Sequence, residues 1–374
     1  MDMQKNFWKN LKRPIVAMAP MANVTDAAFR RIFASVRLEA NDGVLRSFSE
    51  EGSTTAKTND STLHGLSGLR SQSNFGEGGG EGGRMVGPDV FWTEFVSVEG
   101  LLSKGKESLL TDLWFTEAER PIVAQIFGSK PEQFKEVATM IARLGFDGID
   151  INMGCPDSGV EKSGAGAALI KHPKLAQDII RATTEGAKGL PVSVKTRIGY
   201  AKDEIDTLVP TLLETGIAAL TMHLRTRKEM SAVPAHWELA PKIVALRDRY
   251  APETIILGNG GVVSLSDGYR RAKGSGMDGV MVGTGIFGNP WFFTGTVPDV
   301  RERLDWMVRH TKLFEKLYKS DKTKKEGKLK NFEVMKKHFK AYCTGFDGAK
   351  ELRIQLMETE SAMAVRRIVE SFLR

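Results

Sequence analysis

Eight short apolar runs, each ending in a small or polar residue, alternate with stretches of helical spacing through most of this 374-residue chain. The stretch 130–145, for example, places apolar residues three and four positions apart, as on one face of a helix. Eight strands that alternate with helices predict parallel strands with right-handed crossovers, and eight such strands close a (β/α)8 TIM barrel. The runs are 15–20, 90–95, 122–127, 148–152, 192–196, 219–223, 255–260 and 279–285.

The alternative α/β fold is an open, doubly wound sheet. In a dinucleotide-binding sheet of that kind the first strand ends in a GxGxxG turn, and the first run here lacks it. The chain is long enough for a large barrel with an appended unit. We therefore expect residues 1–298 to form the barrel and residues 299–374 to form a C-terminal helical domain.

One segment interrupts the alternation of strands and helices. Residues 41–88 contain 11 of the 38 glycines, including the run FGEGGGEGG. This composition offers too little apolar surface to offset the entropy of ordering the backbone. We interpret the segment as a disordered insertion, with a functional lid as the alternative.

The net charge of +7 is concentrated at the carboxyl end of the chain. Residues 299–374 hold 19 basic and 12 acidic residues, an excess of seven that equals the net charge of the whole chain. Lysines alternate with aromatic residues between 309 and 340, a pattern that fits either a solvated helix face or a surface for a polyanion. A basic module beside an electroneutral body suits a polyanion whose reacting part enters a neutral pocket.

Cysteine and histidine usage bears on the compartment and on metals. Two cysteines, Cys155 and Cys343, do not make a disulfide framework, so a reducing compartment is expected. The six histidines show none of the usual metal-ligand spacings, and no apolar stretch is long enough to span a bilayer. We predict a cytoplasmic, monomeric protein without a metal.

Polar or special residues stand at or just after the carboxyl ends of the eight runs. In a (β/α)8 barrel these ends surround one mouth, where the active site lies. Polar groups at eight successive strand ends are hard to explain by packing alone. They are Asn23, Glu94, Gln125, Asn152, Cys155, Lys195, Arg197, His223, Arg225, Asn259 and Gly283.

Cys155 follows the fourth run in the sequence DINMGCP. A loop at this position can present a thiol to a ligand, although most free cysteines are small buried apolar residues. Both interpretations stay open on this segment alone.

The glycine-rich turns GNGGV and VGTGIFGNP follow the seventh and eighth runs. In these barrels the corresponding loops commonly bind a phosphate through backbone N–H groups. Lys195 and His223 would then reach the ring of a phosphorylated cofactor, where a reduced flavin carries negative charge. Alternatively, Lys195 forms an internal ion pair with Asp150 or Glu94, or a Schiff base as in barrel aldolases.

Together these segments resemble the tRNA-dihydrouridine synthases, flavoenzymes that reduce a uridine in tRNA. The resemblance runs in order through APMANVTDAAFR, TEFVS, AQIFG, DINMGCP with VEKSGAGAAL, VKTRIG, HLRTRKEM, NGGV and GNPWFF, and the tail NFEVMKKHFKAY is similar to that family's helical domain. It implies an FMN-bound barrel that NADPH reduces and that transfers a hydride to C6 of a flipped uridine.

The resemblance also implies roles for individual residues. Cys155 would be the acid that protonates C5, which suits a thiol whose ordinary pKa leaves it protonated at neutral pH. Asn152 would contact the uracil edge and Arg197 the substrate nucleotide. Thr284 stands where the family usually has arginine, so that side chain's contribution to phosphate binding is absent. The implied FMN-binding residues are Pro20, Met21, Gln125, Lys195, His223, Asn259, Gly260, Gly261, Gly283 and Thr284.

Two rival functions remain at this stage. An FMN barrel acting on a free pyrimidine such as dihydroorotate shares the phosphate loops, but it has no use for a basic tail. A non-catalytic tRNA-binding protein would not need Asn152, Cys155 and Lys195. In the leading interpretation the tail binds tRNA, and its densest lysines are Lys322, Lys324, Lys325, Lys328 and Lys330.

Overall fold

The computed structural model describes residues 6–42, 87–318 and 330–374, without the side chains of 38–42. The predicted disordered insertion, 41–88, lies almost wholly outside the described residues. The same holds for Lys322, Lys324, Lys325 and Lys328. The expectations for these segments stay predictions.

Eight parallel strands form the sheet of the described chain, in the order β1-β8-β7-β6-β5-β4-β3-β2. The sheet closes between β1 and β2, where Ala17 and Val90 form a parallel bridge and the N–H of Met18 donates to the carbonyl of Val90 at 3.1 Å. The predicted (β/α)8 TIM barrel is therefore confirmed. The strands are β1 (Ile15–Met18), β2 (Phe91–Ser97), β3 (Ile122–Phe127), β4 (Gly148–Met153), β5 (Val192–Arg197), β6 (Ala219–His223), β7 (Ile255–Asn259) and β8 (Gly279–Val282).

In the part of the chain that the structure describes, helices connect the strands, and four more follow β8. The helix predicted over 130–145 is α4, which begins with a proline in its first turn and ends where Gly145 adopts a left-handed φ of 82°. The helices are α1 (Ala27–Asp42), α2 (Val98–Leu101), α3 (Lys106–Leu110), α4 (Pro131–Leu144), α5 (Ser158–Lys162), α6 (Pro173–Gly186), α7 (Ile205–Leu213), α8 (Ala240–Tyr250), α9 (Leu265–Ser275), α10 (Val300–Tyr318), α11 (Val334–Tyr342), α12 (Ala349–Met357) and α13 (Ala362–Phe372).

Apolar side chains fill the barrel below its mouth. Trp8, from a short 3-10 helix before β1, packs against Trp92 with ring centroids 5.8 Å apart, and Leu257 and Met281 belong to the same buried cluster. Since this end of the barrel is packed, a ligand has room only at the opposite end, where the strands' carboxyl termini lie.

The C-terminal helices α10 to α13 pack around a core of their own that also includes α1. The aromatic residues of the basic segment belong to this core: Phe314, Tyr318, Phe339 and Tyr342 are all buried. They therefore stabilise the helical domain and are not available to stack on bases. The domain boundary at 298/299 stays a prediction. Within the described ranges, no helix is both long enough and apolar enough to cross a membrane.

Candidate active site

The loop that carries Cys155 is held by the side chain of Asn152, the fifth residue of β4. Oδ1 of Asn152 accepts hydrogen bonds from the backbone N–H groups of Gly154 at 3.1 Å and Cys155 at 3.0 Å. The next turn also depends on glycine, because a Cβ at Gly166, where φ is 60°, would lie 2.8 Å from the carbonyl oxygen of Cys155. The loop that carries the thiol at the barrel mouth is thus held by residues of two segments, DINMGCP and the later GAGAAL.

A buried chain of side-chain hydrogen bonds connects this loop to the barrel interior. Nδ2 of Asn152 donates to Oε1 of Gln125 at 3.0 Å, and Nε2 of Gln125 donates to Oδ2 of Asp150 at 2.6 Å. Asp150 also accepts from the hydroxyl of Ser193, and burial raises its pKa to about 6. Because these bonds fix both amides in orientation, each amide keeps only one N–H for a ligand.

The thiol of Cys155 is half-buried, and burial raises its pKa above the ordinary value. Lys195 and Arg197 act in the opposite direction, since nearby positive charge favours a thiolate, but burial outweighs them. At neutral pH the group is therefore a thiol with a proton to donate.

Lys195 lies on β5, beside Asn152 in the register of β4 and β5. It forms no ion pair with a described residue. Of the two partners expected for an internal pair, Asp150 is bonded to Gln125 and Ser193, while Glu94 pairs with Lys330. Burial, reinforced by the charge of Arg197, lowers the pKa of Lys195 to about 8. Positive charge at this point has no full counter-charge in the described protein.

His223, the last residue of β6, is a neutral imidazole. Burial lowers its pKa to about 2, with help from the charges of Lys195, Arg197 and Arg225. Nη1 of Arg225 lies 3.1 Å from Nε2 of His223. A guanidinium can only donate, so Nε2 accepts and Nδ1 carries the proton. The sequence predicts Arg225 only as a strand-end residue, and its contact with His223 follows from their spacing of two.

Arg197 is buried and braces two loops at the mouth. Its Nε donates to the carbonyl of Gly154 at 2.8 Å, and its Nη1 donates to the carbonyls of Thr226 at 3.1 Å and Met230 at 3.2 Å. The guanidinium predicted to contact the substrate therefore has its main hydrogen bonds inside the protein, where it holds the cysteine loop against the loop after β6.

The glycine-rich turn after β7 adopts backbone conformations that favour glycine. Gly260 and Gly261 have φ values of 124° and 67°, and a Cβ at Gly260 would lie 3.1 Å from Cδ2 of His223. Asn259 supports the turn by donating from Nδ2 to the carbonyl of Met281 at 2.7 Å. Only glycine leaves the space beside His223 open.

The remaining predicted cofactor residues lie at the same end of the barrel. Pro20 is buried directly after β1, and the N–H of Met21 donates to the hydroxyl of Thr25 at 2.8 Å. The Sδ atom of Met21 is 3.6 Å from the Cβ position of Gly283, and Thr284 is exposed at the start of a 3-10 helix. The β1 loop and the β8 loop therefore lie side by side at the mouth, as expected for loops that follow paired strands.

Lys330 is the one predicted RNA-contacting lysine that the structure describes, and the expectation for it is wrong. Its ammonium group pairs with Glu94 and, at 2.8 Å, with Oδ1 of Asp112, and its side chain is only 10% exposed. Burial disfavours its charge, but the surrounding carboxylates outweigh that effect and raise the pKa of Lys330. A group held inside the protein in this way cannot bind a phosphate backbone.

Two residues that the sequence analysis does not name, Ser193 and Trp237, also shape the mouth. Ser193 lies two positions before Lys195 on β5, so the period of two along a strand could have placed it beside Asp150. Trp237 donates from Nε1 to the carbonyl of Gly260 at 2.9 Å, and no sequence pattern indicates this long-range contact. The pairing of Lys330 with Glu94 and Asp112 likewise had no local signal.

The fold and the mouth define a class of protein: a (β/α)8-barrel enzyme with glycine-rich turns after β7 and β8, cations that lack full counter-charge, and a protonated thiol on a braced loop. A family model described as dihydrouridine synthase (Dus) matches residues 17–373. The chain belongs to the dihydrouridine synthase family. Conversion of uridine to dihydrouridine adds two hydrogen atoms across a carbon–carbon double bond, so the enzyme is an oxidoreductase.

Individual relatives agree with the family. A probable tRNA-dihydrouridine synthase of Staphylococcus aureus (strain MRSA252) is 39% identical and covers 99% of this chain and 96% of that protein. A probable tRNA-dihydrouridine synthase 2 of Bacillus subtilis (strain 168) is 38% identical over 100% of this chain and 98% of that protein. Among solved structures, morphinone reductase in complex with tetrahydroNAD is similar with a TM-score of 0.45 and 12% identity, covering 76% of this chain and 87% of that one.

Proposed function

We propose that this enzyme reduces a specific uridine of tRNA to 5,6-dihydrouridine, using FMN that NADPH reduces. The observation that carries the proposal is the presence at one mouth of a protonated thiol, Cys155, and a largely buried cation, Lys195, that has no full counter-charge. An unpaired buried cation is costly unless a ligand supplies negative charge. A reduced flavin supplies that charge, and uridine reduction needs the proton.

The residues present fit FMN at the mouth. Its phosphate would be held by backbone N–H groups at Gly260, Gly261, Gly283 and Thr284, where glycine leaves the turns open. Its ring would lie beside Lys195 and the Nδ1–H of His223, with Pro20, Met21 and Asn259 shaping the pocket. Gln125 has one amide N–H left for the ring.

When bound, reduced FMN would supply a hydride to C6 of the uracil ring. Negative charge then develops at C5 of the uracil, and Cys155 donates its thiol proton to that carbon, which completes the addition of two hydrogens. Asn152 holds the backbone at Cys155 and keeps one N–H for the uracil edge. Arg197 keeps the loop in place through the carbonyl of Gly154, and the thiolate regains its proton from solvent.

The helical domain, residues 299–374, would hold the tRNA by charge. Lys322, Lys324 and Lys325 stay the predicted contacts. A groove of about 510 Å³ between α10 and α13 is a second basic surface in the described part of this domain, lined by five basic and two acidic side chains. The basic ones are Arg301, Arg309, Lys312, Arg366 and Arg374. Such a surface favours RNA over a free pyrimidine as substrate. A monomeric, cytoplasmic enzyme is part of the same proposal.

Two measurements test the proposal. Purified protein should be yellow and release FMN on denaturation. With NADPH it should form dihydrouridine at one position of unmodified tRNA, mapped at nucleotide resolution, and should leave free uridine and dihydroorotate unchanged. A well-folded, colourless protein that cannot be reconstituted with FMN would refute it.

A further inference from the structure

A bulge in β2 turns Glu94 toward the rim of the barrel mouth. The register of β2 against β3 shifts between Trp92 and Phe95. The hydroxyl of Thr93 accepts from the N–H of Gln125 at 3.1 Å and donates to the carbonyl of Glu94 at 2.8 Å. Bulges of this kind re-aim side chains next to active sites.

Glu94 holds the loop that follows β1. Its Oε1 accepts the backbone N–H of Asn23 at 2.5 Å. Asn23 has a left-handed φ of 54°, a conformation that costs free energy in a residue other than glycine and persists only where contacts hold it. The same loop contains Met21, whose Sδ atom lies beside Gly283 in the neighbouring β8 loop. The position of this loop therefore depends on Glu94.

The second oxygen of Glu94 pairs with Lys330, which reaches the rim from the helical domain. Lys330 also pairs with Asp112, and its ammonium nitrogen lies 5.4 Å from the centre of the Tyr318 ring. The hydroxyl of Tyr318 accepts the N–H of Ala27, the first residue of α1, at 3.1 Å. Two points of the helical domain thus contact the barrel beside the β1 loop. We call Glu94, Asp112 and Lys330 the rim cluster.

We propose that Lys330 is a positioning residue for the reaction: by pairing with Glu94 and Asp112 it fixes the helical domain in register with the β1 loop, so that a uridine held by that domain reaches the ring and Cys155 in reacting geometry. The inference rests on the proposed function. Buried ion pairs add little net stability compared with apolar packing, but they can specify one registry of two elements. A misplacement of about 1 Å can cost about 10²-fold in rate.

The test compares Lys330→Gln with Lys336→Gln in the full-length, FMN-loaded enzyme. Lys336 is a matched control because it pairs with Glu333 at 2.6 Å within the helical domain itself. We expect Lys330→Gln to lower kcat at saturating tRNA by about 10–100-fold. Its tRNA affinity, flavin content and rate of flavin reduction by NADPH should match those of wild type. Lys336→Gln should have no effect on any of these, and Lys330→Arg should recover most of kcat.

The outcomes are distinct. A folded Lys330→Gln enzyme with wild-type kcat overturns the inference, and so does a loss of kcat that added FMN restores. If Lys330→Gln does not fold, Asp112→Asn replaces it, and a wild-type kcat in that variant overturns the inference equally. Wild-type enzyme that forms no dihydrouridine refutes the proposed function instead.

Discussion

Lys195 and Lys330 are both largely buried lysines beside the barrel mouth, but their surroundings have opposite effects. Lys195 has cations near it and no ion pair with a described residue, and burial lowers its pKa to about 8. Lys330 has carboxylates on several sides, which outweigh its burial and raise its pKa. The charge of Lys330 is compensated by carboxylates of the protein, whereas the charge of Lys195 has no such partner among the described residues.

The difference separates a cation that pairs with carboxylates of the protein from one that has no ion pair with a described residue. A buried charge without a partner lowers the stability of the protein, so it is retained where function requires it. The same reasoning explains why burial can keep Cys155 protonated and His223 neutral within one cationic cluster. The positive charge at the mouth thus favours a negatively charged group that the described protein does not provide.

Replacing each lysine by methionine should change stability in opposite directions. Lys330→Met leaves carboxylates buried without their partner and should cost about 3–5 kcal/mol. Lys195→Met removes an uncompensated cation and should stabilise flavin-free protein by about 1–3 kcal/mol. Urea unfolding of both variants measures the two effects. Changes of the same sign would remove the distinction between the two sites.

The pH dependence of the Lys195→Met effect sharpens this prediction. The native pKa of about 8 lies below the ordinary lysine value of 10.5, so the penalty for the charged form is fully present below pH 8. It disappears as the pH rises to 10.5, where the unfolded chain also loses its proton. The stabilising effect should therefore shrink between pH 8 and 10.5, and an effect that is constant over this range would contradict the assigned cause.

The helical domain contains two buried histidines that are neutral in the native state, and protonation of the unfolded chain is expected to destabilise the native state in acid. His310 and His338 are buried with ring centroids 4.7 Å apart, and none of their ring nitrogens has a hydrogen-bond partner among the described residues. Burial lowers the pKa of His338 to about 3. Since the unfolded chain binds a proton below about pH 6.5 and the native chain does not, the native state loses stability as the pH falls.

His338→Phe should remove this loss. Relative to wild type it should gain about 2 kcal/mol in stability between pH 7 and pH 5, because a difference of one pKa unit is worth about 1.4 kcal/mol. The exposed His172 is the control position for the substitution itself, measured as His172→Phe at the same pH values. A pH-independent difference between His338→Phe and wild type would show that His338 has a native partner.

The smallest expected effects concern the salt dependence of tRNA binding. Replacing Lys322, Lys324 and Lys325 by glutamine should flatten the log-log slope by up to roughly 0.7–0.9 for each phosphate group that the variant no longer neutralises. Lys330→Gln should leave the slope unchanged, since Lys330 is buried in the rim cluster. Binding titrations at several salt concentrations compare the two variants. Equal changes in slope would mean that Lys330 reaches the RNA.

Most of the fold, and the strand ends that meet at the candidate site, could be predicted from the sequence. Apolar runs with polar ends specify the strands, and barrel closure brings Cys155, Lys195 and His223 to one mouth because parallel strands share a direction. The bounds of the strands differ more: the second strand begins at Phe91 and ends at Ser97, whereas the prediction spans 90–95. A bulge shifts the register of this strand against β3, and the strand continues to Ser97, beyond the apolar run.

The partners of the site residues could not be predicted. Glu94 and Lys330 are 236 positions apart, and a charged tail gives no local sign that one of its lysines enters the barrel rim. The hydrogen bonds that orient Asn152 and Gln125 depend on side-chain distances that no sequence period encodes. The pKa directions follow from burial, which is known only once the helices and strands are packed.

The central claim is that the thiol at the barrel mouth provides the proton for uridine reduction. The direct measurement is dihydrouridine formation in tRNA by Cys155→Ala, with Cys343→Ala as the control because Cys343 is buried in the helical domain. We expect Cys155→Ala to lower the rate by about 10²–10⁴-fold, the usual loss for a general acid, while tRNA affinity and NADPH-driven flavin reduction match those of wild type. Turnover by Cys155→Ala at the wild-type rate would contradict this claim.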